Sequence, residues 1–263
     1  MPPITTERYF VQILSSTDTL ARLVDGADLT KTVPTCPDWT LRQLATHVGR
    51  AQRWAAEIVT TRSAEPIPFR EVPDGRFPDD AARHAPWLRE GAQRLVTAVR
   101  QAGSDQVWTF AGPQPAPFWA RRMAHETAVH CADAELAAGR RPAFAPDLAA
   151  DAIDEWLGFL CGPEAGHDDP RLGAMPEGAV LHIHATDQAL AGADQAAAGE
   201  WLVRRHGPAI VVEHGHGQGD VAVRGPAGWL LLTLVRRVAP DDPEVQVLGD
   251  GALLDRWLAA TPF

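Results

Sequence analysis

Glu126 and His130 stand four positions apart in a chain of 263 residues, the spacing at which two helical side chains project together. On a helical wheel of ~100° per residue with Glu126 at zero, His130 falls at about +40°, Asp133 at about −20°, Arg122 at about −40° and Trp119 at about +20°. Met123 and Ala134 flank this line on one side, and Val129, Leu136 and Phe118 on the other. Arg121, Glu135 and Ala124 take the opposite, solvent-like side. A row of ionisable groups therefore runs inside an apolar face. Burial of such groups is costly unless they pair with one another or hold a metal. His47 sits on a second inward-looking line, with Ala51, Trp54 and Ile58. Two imidazoles and one carboxylate make a three-ligand site with an open position, the arrangement of a catalytic metal. Zinc suits the set best, and iron, nickel and manganese accept the same ligands. A plain Glu126–His130 ion pair, with His47 as an ordinary core histidine, accounts for the same spacing.

Two further groups carry chemistry. His182 and His184 alternate on a predicted strand and so share a face, and His214 and His216 lie by a turn. The four could form a second metal site or line the polar face of a sheet that packs through Leu181 and Ile183. Cys36, Cys131 and Cys161 are odd in number and widely spaced, so neither a disulfide framework nor a zinc ribbon is indicated. Cys131 lies at about +140° on the wheel, away from the ligand line. Trp39 reads either as a pocket wall or as a packing staple before the second helix.

The elements that must position these residues come next. Apolar spacing predicts helices over about 5–26, from Thr40 past Ile58, over 80–102 and over 118–138, with a shorter fifth at 147–161. Pro34 and Pro37 hold the segment before Thr40 extended. Four main helices joined by loops read as a bundle. After Cys161 the composition is that of a linker, and then the apolar period becomes two. AVLHIHAT, EWLVRRH, AIVVEH, DVAVRG and WLLLTLV are the strand candidates, and a short helix follows Gly249-Asp250. The expected organisation is a helical domain at 1–161, a linker at 162–178 and an α+β domain at 179–263.

The net charge of −10 and the single lysine, Lys31, leave no basic face for nucleic acid or for anionic lipid. No apolar run is long enough to span a membrane. The opening MPPITTERYF has no signal-peptide pattern, so a reducing cytosol is the expected compartment.

Three segments, in order, carry a resemblance: TCPDWTLRQLATHVGR at 35–50, RRMAHETAVHCADAE at 121–135 and LLTLVRRVAPDDPEVQVLGDGALLDRWL at 231–258. Together they resemble the mycothiol-dependent maleylpyruvate isomerase family. The resemblance implies a DinB-like four-helix bundle followed by a sterol-carrier-like α+β domain. It implies a divalent metal on His47, Glu126 and His130, mycothiol as thiol cosubstrate, and an Arg that grips substrate, placed at Arg237 with Arg236 as the neighbouring alternative. Arg122 and Asp133 would orient the ligands, with Trp39 and Trp119 about the pocket. The chain departs from the family in having Cys131 and Ala132 after the motif histidine, and Val235-Arg236 where Trp-Gly is common. The implied activity is cis–trans isomerisation. Mycothiol S-transfer and a non-catalytic metal or thiol sensor are the alternatives. The Ala-, Pro-, Gly- and Arg-rich composition is that of high-GC coding, as in actinobacteria.

Overall fold

The computed structural model describes residues 4–161, 169–187, 190 and 199–261. The chain divides into two compact units, Thr5–Pro142 and one that contains Ala143–Phe263.

The first unit is built on four long helices: α1 (Thr6–Val24), α2 (Leu41–Thr61), α3 (His84–Ala102) and α4 (Pro117–Ala137). The starts of the first two are written in their caps. The Thr5 hydroxyl accepts from the Arg8 backbone N–H. At α2 the Thr40 hydroxyl accepts from Gln43 N–H while the Gln43 side chain accepts from Thr40 N–H, a reciprocal pair of the kind whose loss costs about 1 kcal/mol. Pro117 opens α4, where its missing N–H leaves no bond unmade. A two-stranded hairpin, β1 (Thr32–Val33) and β2 (Cys36–Thr40), feeds directly into α2. A second short pair, β3 (Gln106–Val107) and β4 (Gln114–Pro115), precedes α4.

Leu20, Val24, Leu44, Val48 and Leu88 form a core cluster between the helices. The close approach of α2 to α3 depends on Gly49. A Cβ there would stand 2.0 Å from Trp87 Cζ3. One turn on, the buried Arg53 donates to Gly49 O at 3.0 Å and Trp87 O at 2.6 Å. Its guanidinium lies 4.1 Å from the centre of the Trp87 ring. Burial lowers the Arg53 pKa to about 10. Helix α4 is buried nearly all round. Ala124, expected on the solvent side, is fully buried.

The second unit is α+β. Its helices are α5 (Pro146–Leu160), α6 (Pro170–Ala174), α7 (Ala227–Leu234) and α8 (Gly251–Ala260). Its strands are β5 (Val180–Ala185), β6 (Glu200–His206), β7 (Ala209–His214), β8 (Val221–Gly225) and β9 (Gln246–Gly249), in spatial order β7-β6-β5-β8-β9. Only β5 and β8 run parallel. Leu181, Ile183, Trp201, Val203, Val221 and Val223 form its buried face.

Three expectations need correction. WLLLTLV is helix α7, not a strand. A short apolar run has no period that separates the two states, and the leucines are strong helix formers. The first domain ends near Pro142 rather than at 161, because α5 belongs with the sheet: Asp154 on α5 accepts a hydrogen bond from Trp201 Nε1 on β6. The expected linker at 162–178 contains α6, and its residues 162–168 lie outside the described residues. Among the described residues no helix is long and apolar enough to cross a membrane.

Candidate metal centre

The α2–α4 face of the bundle brings His47, Glu126 and His130 together. One donor atom from each lies within 4.8 Å of the other two. Glu126 Oε1 is 2.8 Å from His47 Nε2 and 3.3 Å from His130 Nε2. The imidazole rings meet edge to face, with centroids 4.8 Å apart. Side-chain exposure rises from 4% at His130 through 16% at Glu126 to 36% at His47, so solvent reaches the cluster from the His47 side.

The far sides of Glu126 and His130 are committed. Arg122 Nη2 donates to Glu126 Oε2, which leaves Oε1 to the imidazoles. His130 Nδ1 pairs with Asp133 Oδ2 at 2.8 Å, so its Nε2 is the nitrogen presented to the cluster. Asp133 is fully buried. It is held in turn by the Thr35 hydroxyl at 2.5 Å and by Cys36 Sγ at 3.6 Å, both from the β1–β2 hairpin. Trp39, at the end of the same hairpin, lays its ring 4.9 Å from that of His47 and 5.7 Å from that of His130. It therefore packs against both imidazoles. Trp119 is two turns from Glu126, fully buried, with its ring against Trp54 and Trp108 and its indole N–H on Trp108 O at 3.0 Å.

The electrostatics follow from these partners. Burial pushes the Glu126 carboxyl up, but hydrogen bonds from His130 and His47 and the charges of His130 and Arg122 outweigh it and hold the pKa well below the ordinary range. Burial pulls His130 down, yet Asp133 and Glu126 raise it to about 9. Cys131 is buried and pushed up to about 12, mainly by that burial, so it is no thiolate near neutrality.

The donor set fits a divalent metal. A tetrahedral site with bonds of about 2.0–2.2 Å has edges of about 3.3–3.6 Å. The His130–Glu126 separation of 3.3 Å lies in that range, and the 2.8 Å His47–Glu126 contact needs only a small opening. The Asp133–His130 contact has the geometry of the outer-shell carboxylate that metal-bound histidines usually carry.

A cleft of about 310 Å³ opens beside His47, lined by Trp39, Arg42, Thr46, Arg50 and Phe69 among others. Arg42 is engaged by Asp79 at 2.9 Å. Arg50 Nε is buried and has no hydrogen-bond partner among the described residues. The sequence reading missed Arg50, although its position three residues after His47 places it on the same helix face. It also missed Thr35 and Cys36, whose link to Asp133 is long-range and leaves no local signal.

Arg236 and Arg237 belong to the second unit, just beyond α7. Arg236 N–H bonds Thr233 O at 3.0 Å and Arg237 N–H bonds Leu232 O at 2.7 Å, the paired closure of a helix end. Arg236 takes the left-handed conformation this closure needs, with φ +58°. Its side chain is exposed, whereas Arg237 is half-buried and donates to Val235 O at 2.9 Å.

Comparison with known proteins agrees with this architecture. A family model described as the mycothiol maleylpyruvate isomerase N-terminal domain matches residues 10–135, and one described as the MDMPI C-terminal domain matches 147–256. No curated protein matches the chain. Two solved structures share the fold. The mycothiol-dependent maleylpyruvate isomerase superposes with a TM-score of 0.56, and a histidine-to-alanine mutant of that name with 0.57. Each is 16% identical, and each alignment covers 93% of both chains. With both family models matched in order along nearly its whole length, the chain belongs to the mycothiol maleylpyruvate isomerase family.

Proposed function

We propose that the protein is a metal- and mycothiol-dependent enzyme that acts as a cis–trans isomerase of the maleylpyruvate type. The convergence of His47 Nε2, Glu126 Oε1 and His130 Nε2, in a chain of this family, carries the reading. His47, Glu126 and His130 would hold a divalent ion, zinc by preference, which would supply the Lewis acidity that lowers the pKa of a thiol.

The chain's own residues do the rest. Asp133 fixes which nitrogen His130 presents, and Arg122 pins the far oxygen of Glu126. Trp39 covers the two imidazoles and excludes water from one side. The cleft beside His47 receives the thiol and its electrophile. There the guanidinium of Arg50, which lines the cleft, meets a substrate carboxylate, with which it pairs well. Arg237, whose role the family resemblance implies, pairs with a substrate carboxylate.

In the reaction the mycothiol thiolate adds to the conjugated C=C of a cis-enedioate. A C–S bond forms and the π electrons move onto the adjoining carbonyl. The former double bond, now single, rotates. The enolate then re-forms C=C in the trans sense and expels the thiolate, so thiol is neither consumed nor oxidised. The proposed working compartment is a reducing cytosol, in which Cys36, Cys131 and Cys161 stay as thiols.

Incubation of the zinc-loaded protein with maleylpyruvate, with and without mycothiol, tests the reading. The expected result is thiol-dependent turnover at constant thiol concentration, reduced at least about hundredfold in His47→Ala, which removes a ligand. Stoichiometric loss of thiol into a stable adduct would mean S-transfer. Tight thiol binding without turnover on any electrophile would mean a sensor and would sink the enzymatic reading.

A further inference from the structure

The sheet of the second unit carries its own convergence of imidazoles. Along β5 Leu181 and Ile183 face the core, so His182 and His184 share the other side. Antiparallel pairing sets His184 directly opposite Glu200 on β6. The turn after β7 lays His216 over the same patch. Gly219 allows this approach, because a Cβ there would stand 2.7 Å from Val221 O and 3.0 Å from His182 Cβ. Glu200 Oε2 lies 2.9 Å from His182 Nε2, 2.7 Å from His216 Nδ1 and 3.5 Å from His184 Nδ1. One donor atom from each of the four residues lies within 4.8 Å of all the others. His214, which the sequence grouped with these histidines, turns away toward Asp154 at 3.4 Å. Glu200 takes its place in the set.

Three ring nitrogens crowd one carboxylate oxygen, which has two lone pairs to offer. Protons alone leave such a cluster short of good acceptors. A single cation would instead accept a lone pair from every member. The N···O separations of 2.7 Å to 3.5 Å span the lower edge of the range for a tetrahedral site. Arg224, opposite His184 on β8, is a charged group next to the cluster. Among the described residues its charge opposes that of Glu200 at His184, so little negative charge accumulates to draw a hard ion. Binding must rest on imidazole coordination, which selects Zn²⁺, Co²⁺ or Ni²⁺ over Mg²⁺ or Ca²⁺.

We propose that His182, His184, Glu200 and His216 hold a second divalent transition metal, zinc above all, independent of the His47–Glu126–His130 set. Four protein ligands close the coordination shell, so the site is structural and ties β5, β6 and the turn at 215–219 together. His182 is its floor, and His216, 73% exposed, is the mouth through which the ion enters.

The test uses full-length protein stripped with a chelator, titrated with Co²⁺ while its d–d absorption is followed, and assayed for bound zinc after gel filtration. Wild type should bind about two equivalents, His47→Ala about one, and His184→Ala/His216→Ala about one. One equivalent that survives His47→Ala and is lost with the other pair supports this site whatever becomes of the first. Glu200→Gln keeps the shape of the side chain and should weaken the same binding event by more than about tenfold. Less than about a fifth of an equivalent in His47→Ala, or wild-type stoichiometry and affinity in the other variants, overturns the proposal.

Discussion

Asp133→Asn separates two effects of one buried carboxylate. Asp133 accepts from His130 Nδ1 at 2.8 Å, and it helps hold the His130 pKa at about 9. A proton on His130 competes with any cation there. With that pKa only about one molecule in a hundred has the site free at pH 7, a penalty of about 3 kcal/mol against the deprotonated limit. Zinc affinity of the wild-type bundle should therefore rise about tenfold per pH unit from about pH 7 to 9 and level off above. Loss of an outer-shell carboxylate costs ~10–100-fold in affinity, or ~1.4–2.8 kcal/mol. In Asp133→Asn the full loss should appear near pH 9.5. At neutrality it should be partly offset, because His130 then gives up its proton more readily. The steep part of the profile should shift to lower pH. Competition with a chromophoric chelator, in a His184→Ala/His216→Ala background, gives both curves. A flat wild-type profile between about pH 7 and 9, or a variant within about threefold of wild type at high pH, would refute the reasoning.

Other outcomes follow from the same geometry. In the metal-free protein the raised His130 pKa stabilises the fold fully below about pH 6.5, and that contribution, about 3 kcal/mol, is lost as pH rises through about 9, so thermal melts of stripped protein should fall over that window. Gly49→Ala places a Cβ against the Trp87 ring and should destabilise by ~1–3 kcal/mol in urea unfolding, a wild-type midpoint meaning that α2 and α3 do not pack as described. Arg236→Gly relieves a left-handed non-glycine residue and should stabilise by ~0.5–1 kcal/mol, with a loss of stability counting against the α7 closure. Arg50→Lys should raise KM for an enedioate more than it lowers kcat, and an unchanged KM would remove Arg50 from the substrate site.

Much of this arrangement was legible in the sequence, for reasons that differ by element. The four bundle helices announce themselves through a 3.6-residue period and, at Thr40, a cap. The ligand line on α4 is visible because Glu126 and His130 share a face, and His47 because it sits on the apolar stripe of another helix. What local pattern cannot carry is pairing across distance. Thr35 and Cys36 reach Asp133 from about a hundred residues away in sequence. Glu200 joins His182 and His184 only once β5 and β6 take register. The run at α7 is apolar all along and so holds no period to read. The early end of the bundle depends on α5 choosing the sheet, a tertiary preference that its own amphipathic pattern does not encode.

Anomalous diffraction at the zinc absorption edge, from crystals of the zinc-loaded protein, meets the central claim head on. The account predicts a peak about 2.0–2.2 Å from His47 Nε2, Glu126 Oε1 and His130 Nε2. No peak there, with His47 still hydrogen-bonded to Glu126 at the 2.8 Å of the metal-free geometry, would contradict it.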